Sequence, residues 1–358
     1  MERAFLMHYY DHDIYQRELQ EIIENNHGLE FLRNKSLVIT GARGLIGSML
    51  VDAVMYANQH QSIDCNVFAI LRDMENGRKR FAKYETLPLF HIIQADINRD
   101  EIKIDSDIDF FIHAASNTHP IFYSTRPIET ILTNTAGTNN VMAFCAEHHC
   151  QRFLFLSSVE IYGENRGDME KFAENYCGYI DCNTLRAGYP ESKRVGESLC
   201  QAYRKEKGLD CVIARIARCY GPGLLQEDSK ALTQFLRKAA IGDDIVLKSD
   251  GKQYYSYIYV ADAVDALLFL LAKGQDGLAY NVVGKESDIT LKELAKTIAN
   301  QAGVNICFDL PDQVEQAGYS KATKAVLDGS DLEKLGWSAK FGVKQGIDKV
   351  LTYWRRSW

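Results

Sequence analysis

The sequence predicts an α/β protein in which a doubly wound parallel sheet is joined to a smaller C-terminal α/β region. Between residues 35 and 220, short apolar runs rich in β-branched residues alternate with amphipathic segments. Such runs are typical of parallel strands that helices cover on both faces. A glycine-rich turn follows the first run directly, and the alternation becomes less regular after CYGPGLL. The turn is typical of a strand that leads into a helix, and the change of pattern marks the smaller region.

Composition limits the possible functions. The chain has 358 residues, of which 46% are hydrophobic and 25% charged, as in an ordinary globular protein. Its net charge of −7 and pI near 5.8 give no general attraction to nucleic acid or to an acidic membrane surface, so we expect neither partner. Nine irregularly spaced cysteines, with no C-x-x-C and no signal peptide, predict reduced thiols, a cytoplasmic location and no metal site.

The elements are predicted in chain order. Residues 1–34 are expected to form a helical extension packed on the main body, because IYQRELQEIIENN has helical spacing. The strands that follow are SLVIT, CNVFAIL, FHIIQAD, IDFFIHAA, RFLFLSS and CVIARIA. They define a doubly wound domain over 35–220, to which a segment near 255–285 returns. Residues 221–254 and 286–358, with LKELAKTIANQAG and DLEKLGW, are expected to bind substrate across a shared cleft.

The segment TGARGLIG links the first strand to the first helix. Glycines at this spacing permit a tight turn, close approach of the backbone to a pyrophosphate, and close helix packing. In this setting they predict a Rossmann dinucleotide site rather than a plain glycine-rich turn. Asp96, after the third strand, is a candidate adenine contact, with Ile97 beside it. The cofactor-binding residues predicted in the turn are Gly41, Arg43, Gly44, Leu45, Ile46 and Gly47.

The end of the second strand bears on the choice of dinucleotide. A carboxylate at this point would bind the ribose hydroxyls of NAD, whereas this chain has Arg72, followed by the basic run GRKR. Guanidinium groups suit a ribose 2′-phosphate, and Arg43 adds a further cation, so the sequence favours NADP. The alternative is a solvated basic loop in which Asp73 contacts the ribose.

The segment YPESK places Tyr189 and Lys193 four residues apart. On a helix they share a face, and a nearby cation lowers the pKa of a tyrosine from its reference of about 10. Tyr189 is therefore a candidate base, although Y-x-x-x-K alone also occurs as a surface pair.

Taken together, these segments resemble the extended short-chain dehydrogenase/reductases, specifically the nucleotide-sugar epimerases, dehydratases and decarboxylases. The resemblance runs from Lys35 to the end of the chain. It rests on TGARGLIG, FIHAAS, TNTAGTNNV, LFLSSVEIYG, YPESKRVGESLC, CYGPG and SYIYVADAVDAL, in the order and at the spacing of that family.

The resemblance implies roles for individual residues. Tyr189 would take a proton from the sugar C4 hydroxyl as hydride leaves for the nicotinamide, with Ser158 sharing the hydrogen bond. Lys193 would lower the tyrosine pKa and bind the nicotinamide ribose. Asn134 falls where the family has a structural asparagine, and it is also predicted to bind the cofactor. Ala114, Ala115 and Ser116 would line the cofactor site, and Ser116 would also reach the substrate.

Glu160, two residues after Ser158, separates subgroups of the family. It resembles the glutamate of 4,6-dehydratases and UDP-glucuronate decarboxylases, which simple 4-epimerases lack. Oxidation of C4 to a ketone acidifies the C5–H, and a carboxylate beside C5 can remove that proton so that hydroxide leaves C6. Return of hydride to C6 then gives a 4-keto-6-deoxy sugar. The alternative is a glutamate merely exposed at a strand end.

Three positions depart from the family patterns. Val159 stands where many dTDP-glucose dehydratases have an aspartate. GDP-mannose dehydratases resemble this chain more closely, because they also lack that aspartate. Tyr255 occupies the position of an arginine in the decarboxylases, which weakens the case for binding a glucuronate. Arg218 replaces the asparagine before YGP, where it could contact a phosphate or pair with a surface acid. Substrate contacts are therefore predicted at Ser116, Ser158, Glu160, Arg218 and Tyr255.

The function expected from the sequence is a cytoplasmic NAD(P)-dependent enzyme acting on a nucleotide sugar, such as one used in polysaccharide biosynthesis. Dehydration, a lyase reaction, is the first expectation, followed by UDP-glucuronate decarboxylation and then 4-epimerisation. An idle NADP-binding protein that uses the N-terminal helix as a partner surface is the alternative from another class. The resemblance also implies a homodimer, formed through the helix of Tyr189 and a helix near Ile128 to His148.

Overall fold

The computed structural model describes residues 9–118, 125–224, 228, 230–309 and 323–356. Its strands are β1 (Ser36–Thr40), β2 (Asn66–Leu71), β3 (Phe90–Gln94), β4 (Phe110–His113), β5 (Arg152–Ser158), β6 (Cys211–Ile216), β7 (Arg218–Tyr220), β8 (Ile245–Leu247), β9 (Tyr254–Tyr259), β10 (Ala279–Val282), β11 (Asp288–Thr290), β12 (Ile306–Phe308) and β13 (Lys324–Ala325). Its helices are α1 (Asp13–Asn25), α2 (Leu45–Gln61), α3 (Met74–Phe81), α4 (Pro127–Leu132), α5 (Thr138–Glu147), α6 (Gly188–Lys207), α7 (Ala231–Ala240), α8 (Val260–Lys273), α9 (Leu291–Ala302), α10 (Ser330–Leu335) and α11 (Val343–Arg356).

Seven strands form a parallel sheet in the order β3-β2-β1-β4-β5-β6-β10. This order confirms the predicted doubly wound sheet, and each of the six predicted apolar runs contributes a strand. Every residue of β1 is buried, as expected for a strand covered on both faces. The chain moves outward from β1 to β3 and then returns to β4 on the other side of β1. This reversal opens a crevice at the carboxyl ends of β1 and β4.

The smaller region is built around β9. This strand pairs with β7 and β13 in parallel and with β11 antiparallel, while β8 and β12 form a separate parallel pair. Helix α9 begins at a capping box formed by Thr290 and Glu293, and ends at Gly303 in the left-handed conformation. The segment near 255–285, predicted to return to the first domain, contains α8 and the seventh sheet strand, β10.

Within the segment predicted as an N-terminal extension, α1 packs against α2 and α8. The carboxylate of Glu18 on α1 is buried, and it accepts hydrogen bonds from Tyr259 at 2.9 Å and Tyr353 at 3.3 Å. Lys349 of α11 pairs with the same carboxylate at 3.0 Å. Helix α1 is therefore fixed to both the end of β9 and the C-terminal helix. None of the helices in the described ranges is long and apolar enough to cross a membrane.

Candidate active site

A cleft of about 1950 Å³ lies at the carboxyl ends of the sheet strands, between the sheet and the smaller region. Nineteen of the twenty predicted site residues line it: Gly41, Arg43, Gly44, Leu45, Ile46, Gly47, Arg72, Asp73, Asp96, Ile97, Ala114, Ala115, Ser116, Ser158, Glu160, Tyr189, Lys193, Arg218 and Tyr255.

The glycine turn has the shape that a pyrophosphate requires. Gly41 adopts a φ of +65°, and a Cβ at this position would lie 2.7 Å from the carbonyl oxygen of Ala114. A Cβ on Gly47 would lie 2.3 Å from the carbonyl oxygen of Gly41, so only glycine allows α2 to approach the turn this closely. Gly44 is the N-cap of α2, whose N-terminal N–H groups and helix dipole attract an anion. These residues fit a dinucleotide.

The basic side chains that follow β2 are paired with acidic residues rather than free to bind a phosphate. The Arg72 guanidinium donates to a carboxylate oxygen of Glu129 on α4 at 2.7 Å, and lies 3.4 Å from the amide oxygen of Asn117. Asp73 caps α3 by accepting from the backbone N–H of Asn76. The other three cations of the basic run form ion pairs elsewhere: Arg78 with Glu85, Lys79 with Glu75 and Arg80 with buried Asp52.

Asp96 lines the cleft with both carboxylate oxygens already engaged. One accepts from the backbone N–H of Asn98 at 3.1 Å and the other from the Arg99 guanidinium at 2.8 Å. A cofactor contact at this residue would therefore share these oxygens.

Tyr189 lies at the start of α6, with its phenol buried and hydrogen bonded with Ser158 and Ser116. Burial raises the pKa of Tyr189 to about 12, although both hydrogen bonds act to lower it. This direction is opposite to the lowering expected from the sequence, because desolvation outweighs the stabilising contacts. The hydroxyl of Ser158 also accepts from the backbone N–H of Glu160 at 3.2 Å, which fixes its position.

Lys193 is buried one helical turn after Tyr189, and its ammonium donates to the carbonyl oxygen of Leu156 at 2.7 Å. Burial lowers the pKa of Lys193 to about 7. The charge of Lys193 therefore changes close to neutral pH.

Asn134, predicted to bind cofactor, is instead buried behind the cleft wall and supports two other residues. It accepts from Ser116 at 2.7 Å and donates to Ser192 at 2.9 Å, and Ser192 in turn donates to the carbonyl oxygen of Tyr189. It lies in a single π-helical turn, residues 133–137, between α4 and α5. Its contacts link the end of β4 to the start of α6.

Glu160 lies between two arginines. One carboxylate oxygen is 3.2 Å from a guanidinium nitrogen of Arg186, and the other is 3.3 Å from one of Arg218. All three residues line the cleft close to Ser158 and Tyr189.

Arg218 thus pairs with an acid inside the cleft rather than with one on the outer surface. Its guanidinium lies over the ring of Tyr255, 3.6 Å from the ring centroid, as β7 and β9 are neighbours. The side chain of Arg218 is only 22% exposed, and its second terminal nitrogen, Nη1, is buried with no hydrogen-bond acceptor among the described residues. A cation from the adjacent strand therefore lies against Tyr255, at the position where the sequence itself has no arginine.

The model of the NAD-dependent epimerase/dehydratase family matches residues 37–283. The chain belongs to this family. Among the family's curated members, it is 29% identical over 323 residues to UDP-glucuronic acid decarboxylase 6 of Arabidopsis thaliana, covering 88% of each chain. It is 30% identical over 318 residues to UDP-glucuronic acid decarboxylase 5 of the same plant, covering 88% of this chain and 87% of the relative.

Solved structures in this epimerase/dehydratase group share the fold. A dTDP-glucose 4,6-dehydratase from Bacillus anthracis, in complex with NAD, superimposes with a TM-score of 0.75 at 18% identity, over 90% of this chain and 97% of that one. A UDP-glucuronic acid 4-epimerase from Bacillus cereus, in complex with UDP-glucuronic acid and NAD, gives 0.76 at 21% identity, over 90% and 100%.

The sequence analysis did not single out two charged residues that line this cleft, Arg186 and Glu129. Arg186 precedes Tyr189 by three residues in LRAGYPESK, so its nearness to a candidate catalytic residue was a usable signal. Glu129 lies 57 positions from Arg72, and no local pattern connects the two.

Proposed function

We propose that the protein decarboxylates a nucleotide-linked uronic acid, with UDP-glucuronate as the first candidate substrate. The single observation that carries this proposal is the pair of guanidinium groups that flank Glu160 beside Tyr189. The curated relatives named as UDP-glucuronic acid decarboxylases support the same choice.

The local charges favour an acidic sugar. Arg186, Arg218 and Glu160 together carry two positive charges and one negative charge, which leaves one positive charge uncompensated among the three. The carboxylate of a uronic acid can neutralise that charge through charge-assisted hydrogen bonds. The C6 hydroxymethyl group of a neutral hexose cannot. Because Glu160 follows Ser158 by two residues, this positive charge lies near the reacting end of the sugar rather than at the distant nucleotide.

The residues around this pair suit oxidation at C4. Tyr189 takes the proton of the C4 hydroxyl, and Ser158 holds the same oxygen by a hydrogen bond. A dinucleotide held at the glycine turn would supply the acceptor for the C4 hydride and the donor for its later return. Charged Lys193 stabilises the phenolate of Tyr189.

The resulting 4-ketone makes the sugar a β-keto acid. The bond between C5 and C6 then breaks, carbon dioxide leaves, and the electron pair passes through C5 to the C4 oxygen. Arg186 and Arg218 hold the carboxylate in place for this step. A proton from solvent is then added at C5, and Tyr189 returns its own proton to the C4 oxygen as the ketone is reduced.

Dehydration, the first expectation from the sequence, becomes the second candidate. It is favoured by the position of Glu160 in the cleft, two residues after Ser158. Each of its oxygens is already engaged by a guanidinium, so Glu160 would have to leave an arginine before it could remove the C5 proton. A 4-epimerase would not need Glu160 as a base, and it ranks third.

The test is to incubate the purified protein with UDP-glucuronate, UDP-glucose, GDP-mannose and dTDP-glucose in the presence of dinucleotide, and to identify products by mass. Loss of carbon dioxide from UDP-glucuronate is expected. Loss of water from a neutral hexose would establish dehydration instead, and an isomer of unchanged mass would establish epimerisation. No turnover of any of the four would favour the idle-protein alternative.

We also propose a homodimer formed through α4 and α6. Four large apolar side chains on these helices are exposed: Ile128 (73%), Ile131 (39%), Leu132 (46%) and Val195 (45%). Two copies of the helix pair would bury them in a four-helix contact. Measurement of the particle mass in solution tests this. The cytoplasmic location stays a prediction.

A further inference from the structure

We infer that Glu129 makes the protein select NAD over NADP. It does so by pairing with Arg72, whose guanidinium would otherwise bind the 2′-phosphate of NADP. The inference rests on the proposed function only in requiring that a dinucleotide binds, and it holds for any sugar substrate. It reverses the preference that Arg72 alone suggested from the sequence.

The position of Arg72 is the first step. It follows β2 directly, and in a Rossmann domain the group at this strand end faces the adenosine ribose. NADP adds a phosphate to that ribose, with a charge of about −1.5 to −2. A free guanidinium here would bind this group by bidentate hydrogen bonds.

The guanidinium of Arg72 already has an anionic partner. It donates to Glu129 at 2.7 Å, and Asn117 lies near both side chains, at 3.4 Å from Arg72 and 3.5 Å from Glu129. The hydrogen bond from Arg72 lowers the pKa of Glu129, so this carboxylate carries its negative charge at neutral pH. Arg126 also lies 3.6 Å from the second oxygen of Glu129.

The backbone beneath Glu129 is held in place. Helix α4 packs on α6, and the π-helical turn that follows α4 is tied to Ser116 and Ser192 through Asn134. The backbone of Glu129 therefore cannot shift without disturbing the helix that carries Tyr189. A 2′-phosphate bound to Arg72 would place a second anion beside the Glu129 carboxylate, and the repulsion disfavours it.

The ribose of NAD meets the opposite situation. Its 2′ and 3′ hydroxyls are donors, and the carboxylate of Glu129 lines the same cleft. The side chain of Glu129 is 32% exposed, so it keeps an accessible surface while paired. Glu129, held at this strand end by Arg72, thus provides the hydrogen-bond acceptor for the ribose that a single acidic residue provides in other NAD-binding domains.

The experiment compares dissociation constants for NADH and NADPH, measured by cofactor fluorescence without any sugar. The wild type should bind NADH more tightly. Glu129→Gln keeps the shape but removes the charge, and it should tighten NADPH binding relative to NADH by about tenfold, the effect of one hydrogen bond to a charged group. Adding Arg72→Ala to Glu129→Gln should abolish that gain.

Glu75→Gln is the matched control, because it removes the same charge from the exposed pair with Lys79 on α3. It should leave the NADH to NADPH ratio unchanged. Equal binding of both dinucleotides by the wild type would overturn the inference, as would an unchanged ratio in Glu129→Gln. Failure of the wild type to bind either dinucleotide would instead contradict the proposed function.

Discussion

Arg218→Met gives the sharpest test of uronate recognition. Methionine keeps an apolar chain against Tyr255 and removes only the guanidinium, which contacts Glu160 at 3.3 Å. A hydrogen bond to a charged group contributes about 1.5–3 kcal/mol, which corresponds to about 10- to 150-fold in affinity. Because the side chain is only 22% exposed, water weakens this interaction little. Arg186 is 38% exposed, so Arg186→Met should weaken the binding free energy of UDP-glucuronate by only about 0.2–1 kcal/mol.

The assay measures the affinity for UDP-glucuronate and UDP-glucose by calorimetry, together with kcat/KM for carbon dioxide release. Arg218→Met should reduce the affinity for UDP-glucuronate and leave that for UDP-glucose nearly unchanged. Arg78→Met is the matched control, since it removes a cation from an exposed pair outside the cleft. An equal loss for both sugars would instead assign Arg218 to the pyrophosphate, and no loss for either would refute the reasoning.

Three further predictions concern other parts of the molecule. The Glu160→Gln variant should bind UDP-glucuronate about tenfold more tightly, because the two arginines lose their competing carboxylate; an unchanged dissociation constant would contradict this. The Gly47→Ala variant should unfold with a free energy about 1–3 kcal/mol lower and bind the dinucleotide more weakly, because its Cβ would lie 2.3 Å from the carbonyl oxygen of Gly41. Denaturant unfolding measures the first effect, and cofactor fluorescence measures the second. Burial lowers the pKa of His113 from 6.5 to about 3, so its contribution to stability is complete above pH 6.5 and is lost as the pH falls towards 3. The unfolding free energy of the wild type relative to His113→Gln should therefore fall by about 1.4 kcal/mol per pH unit in that window, and a constant difference would rule this out.

The sequence predicted the sheet because each of its first six strands is a continuous apolar run, and burial on both faces requires that pattern. The glycine turn was predictable for a similar reason, since Gly41 and Gly47 must lack a Cβ wherever the fold brings the backbone this close. Both features depend on short stretches of chain.

The charges of the site could not be predicted in the same way. The sequence indicated neither the pairing of Arg72 with Glu129 nor the packing of Arg218 over Tyr255. Whether a cation is free or paired depends on which residues distant in sequence the fold brings within about 4 Å. The supporting role of Asn134 was unpredictable for the same reason, because it depends on hydrogen bonds with Ser116 and Ser192, which are distant in sequence.

The burial of Glu18 against the C-terminal helix has a consequence for synthesis on the ribosome. Tyr353, one of its partners, follows it by 335 positions. At roughly 5–20 residues per second, Glu18 is made roughly 20 to 70 s before that partner. Burial raises the pKa of Glu18, which shows how unfavourable its environment would be without Lys349 and the two tyrosines. The buried contacts of Glu18 therefore cannot be completed until α11 has been made, although α2 and α8, the other helices that pack on α1, are made earlier.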